Sequence, residues 1–230
     1  MRPVDKGSDL GEIKPYANAQ QPLTERLGEY CSYCERWIAS GIHVEHKKPK
    51  NEYPETKYLW DNFLLACGNC NSGKGHGQLN LDDYVWPDSD NTLLAFSYDA
   101  QGRVLPNKIH AELINRKVET TWLALGLNKH PDGQTTGQQI PSSKDKRWLH
   151  RQQAWQNASK RKSQLAAFDS EERRSEIVEM AIQRGFWSVW MTVFQDDADM
   201  RSRLIEAFPG TAKACFDENT QPIQRPGGQI

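Results

Sequence analysis

Four cysteines, with a run of polar residues between and after them, carry the chemistry legible in this 230-residue chain. Cys31-Ser32-Tyr33-Cys34 and Cys67-Gly68-Asn69-Cys70 are two Cys-x-x-Cys pairs. Four thiolates at that spacing suit one tetrahedral Zn²⁺, with Zn–S bonds of about 2.3 Å. Cys31, Cys34, Cys67 and Cys70 are therefore expected to hold a structural zinc that joins two knuckles far apart in sequence. Disulfides are the competing reading. No secretory leader precedes the cysteines, which weighs against it, and a redox role would need one such pair rather than two.

Between the knuckles stands His43-Val44-Glu45-His46, and Asn62-Phe63-Leu64-Leu65-Ala66 leads into the second pair. Asn71 follows Cys70 directly, and Gly73-Lys74-Gly75 closes the stretch. This pattern resembles the HNH nuclease family. The core of that family, a ββα-metal unit, carries an acidic–His pair on its first strand, then a central Asn, then a His or Asn on its helix. His46, Asn62 and Asn71 stand at the three motif positions, and many members carry zinc knuckles at these places. The resemblance runs from about residue 29 to residue 77, a fifth of the chain.

The residue types fit what the resemblance implies. Hydrolysing a phosphodiester needs a water deprotonated near neutral pH, which suits the intrinsic pKa of His46. It also needs a cation on the scissile phosphate and departing oxygen. A hard ion such as Mg²⁺ or Mn²⁺ takes oxygen ligands and few protein groups, and Glu45 and Asn71 would supply two. Asn62 would brace the loop carrying His46 through side-chain bonds to backbone, and Lys74 would meet phosphate as a point charge. Singly, these residues have blander readings: Asn62 as a turn cap, Asn71 in a left-handed turn. His43 shares a strand face with Glu45; contact with metal or phosphate and simple packing on the zinc lobe both fit it. Strict alternation puts Glu45 and His46 on opposite faces, so both reach one site only if the strand ends or twists there.

These residues must be held by a fold. Apolar content is 37 % and charged content 26 %, and no apolar run is long enough to span a bilayer; no membrane partner is expected. The formal net charge of −1 does not advertise nucleic-acid binding, so any electropositive surface must be local. Cys215 is left over as a buried free thiol. Unpaired thiols and zinc point to the reducing cytoplasm.

The expected fold is α+β, a small zinc-stapled ββα-metal core followed by a mostly α-helical C-terminal half. Residues 1–23, with Pro3, Pro15 and Pro22, read as an extended N-terminal arm. Residues 24–86 form the core, with strands at 42–46 and 63–66 and a helix opened by Asn71. Residues 87–217 hold a β-hairpin at 93–105 and then helices over 110–127, 144–168, 170–184, 186–194 and 198–208. The stretch 128–143 is a Gly- and Pro-containing loop, and 218–230 is a flexible tail.

Two parts of the helical half bear on function. Residues 144–162 hold seven Lys or Arg against one acid. Arg147 and Arg151, one turn apart, are the best candidates for contacts to a nucleic-acid backbone, against the plainer reading of a solvated face. The apolar run 186–194 reads as core, with a partner groove as the sharper alternative. Chain length, the Glu45-His46 form and Leu125-Gly126-Leu127-Asn128 resemble the HNH subunits of Septu-type and retron-associated bacterial anti-phage defence systems. That resemblance implies an ABC-class ATPase partner; this chain has no Walker-A loop of its own. DNA is the favoured substrate, with RNA left open. A free-standing restriction-type HNH nuclease and an inactive zinc-ribbon nucleic-acid-binding module are the alternatives.

Overall fold

In the computed structural model, residues 1–74, 80–109, 111–133 and 137–230 are described. Gly75 at the end of the motif, His110 at the expected start of a helix, and residues 134–136 of the long loop lie outside them.

Strand β1, His43–His46, pairs antiparallel with β2, Phe63–Ala66, in the register His43↔Ala66 to His46↔Phe63. All of β2 is buried, as a short unbroken apolar run between turn signals requires. Helix α2, Gly68–Lys74, grows straight out of the second knuckle and packs on β1. These three elements are the expected ββα unit. The helix starts at Gly68, however, so Asn71 stands within it rather than opening it, and its N–H is used inside the turn, donating to the Cys67 carbonyl at 2.9 Å.

The N-terminal segment is less extended than its prolines suggest. A single turn of 3₁₀ helix at Tyr16–Ala19 runs into α1, Gln20–Leu27, which buries Leu23 and Leu27 and packs on β2. Pro22 lies in the first turn of α1, where no intrahelical N–H is needed, so it does not break the helix. Before it, Met1 and Val4 are buried, and the Val4 N–H donates to the Pro87 carbonyl at 2.6 Å.

A second hairpin, β3 (Phe96–Tyr98) and β4 (Val104–Pro106), turns through residues 99–102. Gly102 adopts φ 82°, and a Cβ there would run into the Trp148 carbonyl. The glycine thus lets α4, Arg147–Ala167, rest directly on the hairpin. Helices α3 (Glu112–Ala124), α5 (Glu171–Arg184), α6 (Trp187–Val193) and α7 (Ala198–Ala207) complete the helical half. Ser170 caps α5 by accepting from the Arg173 N–H, and Asp197 caps α7 from Met200. Trp187 and Trp190 are fully buried, so the apolar run is core.

One apolar cluster runs from Met1 and β2 through Trp122 to Val189 and Ile230, crossing the expected boundary at residue 86. A second gathers α5, α6 and α7, and Trp155 of α4 packs against both. Two contacts fasten the first knuckle to α6. The Phe186 N–H donates to the Glu35 carbonyl at 2.8 Å, and the buried Glu35 carboxylate accepts from the Ser188 N–H at 2.9 Å. Gly185 fits between them, since a Cβ there would lie 2.5 Å from the Glu35 carbonyl.

The tail, expected to be flexible, is instead tied down. The Ile230 carbonyl accepts from the Asn91 N–H at 2.8 Å, Asp90 accepts from the Gln229 N–H at 2.7 Å, and Arg225 donates to the Val4 carbonyl at 2.9 Å. These bonds hold the tail although most of its residues remain exposed. Cys215 is a buried free thiol, its pKa pushed up to about 11 by burial. Among the described residues no helix is long and apolar enough to cross a membrane.

Candidate active site and metal centre

The four knuckle cysteines converge. Their Sγ atoms all lie within 4.8 Å of one another, and Cys34 and Cys67 are 3.7 Å apart. A ZnS₄ tetrahedron with bonds of about 2.3 Å has S···S edges of about 3.8 Å, so the cluster has the size and the all-thiolate donor set of a structural zinc site. All four are buried and none is in a disulfide. The first knuckle turns through Glu35 at φ 65° and is tied to β2 by the Ser32 N–H on the Leu65 carbonyl at 2.8 Å.

Arg147 completes this centre. Its Nη1 donates to Cys70 Sγ at 3.1 Å and to the Leu125 carbonyl at 2.9 Å, while its Nε and Nη2 grip the Asp145 carboxylate at 2.9 and 2.7 Å. Arg147 and Arg151 are each 2 % exposed, and Arg151 donates to the Gly102 carbonyl at 2.9 Å. Neither is available to a nucleic-acid backbone, contrary to expectation. The physical reason is a thiolate cluster with excess negative charge, which draws a guanidinium into the interior. Replacing Arg147 with Ala strands Asp145 as a buried unpaired carboxylate. The expected cost is about 3–5 kcal/mol of stability and a roughly 10–100-fold loss of zinc affinity. Thermal denaturation and chelator competition check both; unchanged values would refute the role.

The second group lines a cavity of about 330 Å³ walled by His43, Glu45, His46, Asn71 and, across from the strand, Tyr16 and Lys50. Glu45 and His46, which strict alternation would separate, both line this cavity at the end of β1, where the strand stops at His46. His43 is exposed at its edge and Asn71 is half-buried.

His46 is held on three sides. Its Nε2 lies 3.0 Å from the Lys57 carbonyl. A carbonyl only accepts, so we assign the ring proton to Nε2, which leaves the Nδ1 lone pair free. Phe63 and Tyr16 meet the ring edge-on, at centroid distances of 5.1 and 4.8 Å. Burial, together with the cations of Lys50, Lys74 and Lys57, holds its pKa below the usual 6.5 against the opposing pull of the Lys57 carbonyl. The imidazole is thus neutral near pH 7.

Asn62 makes the side-chain-to-backbone bonds of a brace. Its Oδ1 accepts from the Lys48 N–H at 2.7 Å and its Nδ2 donates to the Lys48 and Thr56 carbonyls at 3.0 and 3.2 Å. This side chain thus ties together both ends of the loop from Lys47 to Lys57, which ends at the carbonyl facing His46.

Lys74 departs from its expected place at phosphate. It lines the cavity, yet its ammonium is buried, ion-paired to Glu45 and donating to the His46 carbonyl and, at 2.8 Å, to the Lys47 carbonyl. A carboxylate as buried as Glu45, at 3 % exposure, needs a cation beside it, and Lys74 serves that need. Tyr16 and Lys50 were not legible as site residues: Tyr16 belongs to a segment ahead of the first knuckle, and nothing in its spacing links it to His46.

A protein-family model described as HNH endonuclease matches residues 31–77. The Septu protein PtuB of Bacillus thuringiensis is 30 % identical over 108 residues, covering 44 % of this chain and 41 % of that protein. The protein assigned as an HNH endonuclease in retron Vc95 of Vibrio cholerae serotype O1 biovar El Tor is 31 % identical over 109 residues, covering 44 % and 53 %. The chain therefore spans about half the length of the curated relatives it matches.

Proposed function

We propose that this chain, whose residues 31–77 match a family model described as HNH endonuclease, hydrolyses phosphodiester bonds of nucleic acid as the nuclease of an anti-phage defence system. The observation that carries the reading is one cavity shared by His46, with a free Nδ1, and the oxygen donors Glu45 and Asn71.

In this reading His46 Nδ1 takes a proton from water, and the resulting hydroxide attacks phosphorus as the bond to a sugar oxygen breaks. Asn62 holds the loop that fixes the imidazole. Glu45 and Asn71 would bind Mg²⁺ or Mn²⁺, with His43 at the cavity edge as a further contact. The donor types fit such an ion, with the Glu45 carboxylate shared between it and the Lys74 ammonium and with water and phosphate as its other ligands. When bound it supplies positive charge to the phosphate and departing oxygen. Cys31, Cys34, Cys67 and Cys70 hold structural Zn²⁺. DNA is the favoured substrate.

The Septu and retron names of the curated relatives support a defence-system role; control by an ABC-class ATPase and a cytoplasmic setting are the further parts of the proposal and rest on the resemblance of the motif alone. The test is cleavage of plasmid DNA and total cellular RNA by the chain co-expressed with its operon neighbours, across a Mg²⁺ titration. Cleavage that needs the divalent ion is expected. Asn71→Ala should raise the Mg²⁺ requirement by roughly 10–100-fold, the range for weakened metal sites. Asn62→Ala should lower the rate with little change in that requirement. An Asn71→Ala protein with the wild-type Mg²⁺ dependence would remove Asn71 from the metal site.

A further inference from the structure

Among the described residues, the cavity is lined by one lysine that is ion-paired and one that is not. Glu45 is matched by Lys74, which is turned inward on it and on two carbonyls. Lys47, next along the chain, is matched by Asp88 at 2.7 Å. Lys50 lines the same cavity and, among the described residues, pairs with no carboxylate.

Nor is Lys50 a loose surface lysine. Its Nζ donates to the Tyr16 hydroxyl at 2.8 Å and lies 4.5 Å from the centre of that ring. Tyr16 in turn packs edge-on against His46. It is carried by the 3₁₀ turn that opens α1, and α1 is anchored by the buried Leu23 and Leu27. Fixing a lysine side chain costs rotamer freedom. Here that cost is met by a tyrosine rather than a carboxylate, so the cation is oriented but not neutralised.

Among the described residues this oriented ammonium has no carboxylate partner, and an anion that enters the cavity meets it beside His46. Resting on the nuclease reading above, we propose that Lys50 binds a non-bridging phosphate oxygen of the substrate strand, and that Tyr16 is the positioning residue that holds Lys50 and His46 in one frame. The same loop continues this surface, with Lys48 over the Tyr53 ring at 5.3 Å and Lys57 over Tyr58 at 5.1 Å. Lys48, Lys50 and Lys57 thus put a local group of cations beside the cavity of a chain whose net charge is −1, where Arg147 and Arg151 of α4 are buried. Tyr16 precedes the residues matched by the HNH family model, so the site draws on chain outside the motif.

The test uses the full chain with its co-expressed partners and a labelled oligonucleotide taken from a cleaved substrate. Lys50→Gln should lower kcat/KM by about 10–100-fold, the loss of one charge-assisted hydrogen bond, and Lys50→Arg should restore most of it. In an inactive His46→Ala background, Lys50→Gln should make the plot of log affinity against log salt shallower by about 0.7–0.9, the release of one counterion. Tyr16→Phe keeps the ring on His46 and the cation, so it should lower kcat/KM several-fold and leave the salt slope unchanged. Zinc content and circular dichroism confirm folding; if Lys50→Gln does not fold, Lys50→Arg and Tyr16→Phe carry the test. A Lys50→Gln protein with wild-type kcat/KM and salt slope overturns the proposal while leaving the nuclease reading intact. A wild-type complex that neither binds nor cleaves nucleic acid overturns both.

Discussion

His46→Ala is expected to lower cleavage by about 10²–10⁴-fold, the usual worth of a general base, with zinc content and secondary structure unchanged. The structure sharpens this expectation. His46 makes a hydrogen bond to the Lys57 carbonyl and two edge-on ring contacts, so Ala removes packing as well as the base. His46→Gln separates the two, because its amide can still donate to that carbonyl while offering no basic nitrogen. Both variants should be inactive, and Gln should keep more of the wild-type melting temperature. The measurement is the initial rate of substrate cleavage at saturating Mg²⁺, alongside a thermal melt. Activity retained by His46→Gln would show that no proton is taken at this position, and the zinc-ribbon binding module would become the better account.

Removing zinc is expected to collapse the whole chain, not only its N-terminal part. Apparent zinc binding in such sites is worth roughly 10–16 kcal/mol, which exceeds or matches the ~5–15 kcal/mol net stability of a typical domain. Without the ion, four buried cysteines lose their common ligand. Arg147 loses its thiolate partner, and the knuckle that presents Glu35 to α6 loses its shape. Chelation, or Cys67→Ser, should therefore abolish the cooperative melt and cut the far-ultraviolet helical signal contributed by α4 to α7. Elemental analysis of the purified protein should find one zinc per chain. Protein free of zinc that still melts cooperatively would show that the cluster does not hold the fold.

Local pattern was enough to read part of this structure. The knuckles and the ββα unit follow from Cys-x-x-Cys spacing and a four-residue apolar run. Helices α5 and α7 follow from periodicity bounded by Ser170, Gly185 and Pro209. Residues whose partners are distant in sequence were not legible. Arg147 and Arg151 look like a solvated basic face until Cys70, Asp145 and the Gly102 carbonyl are brought to them. Lys74 looks like a phosphate ligand until Glu45 is found buried beside it. Tyr16 looks like part of a proline-rich arm because nothing local marks a ring destined for His46. The tail looks loose because Asn91 and Asp90, which capture it, are far from it in sequence.

The absence of a side chain at Gly185 bears on how the candidate site can be used as a part. The backbone of the α5–α6 corner lies flush on the knuckle only because no Cβ intervenes, and Ser188 then meets the Glu35 carboxylate. A fragment cut near residue 86 would open this seam. It would turn an internal carboxylate, an arginine-matched thiolate and half of an apolar cluster out into water. The zinc-stapled motif is therefore not a portable cassette here. Grafted alone onto another scaffold it would bring its ligands but not its frame, so the smallest transferable unit extends through α6.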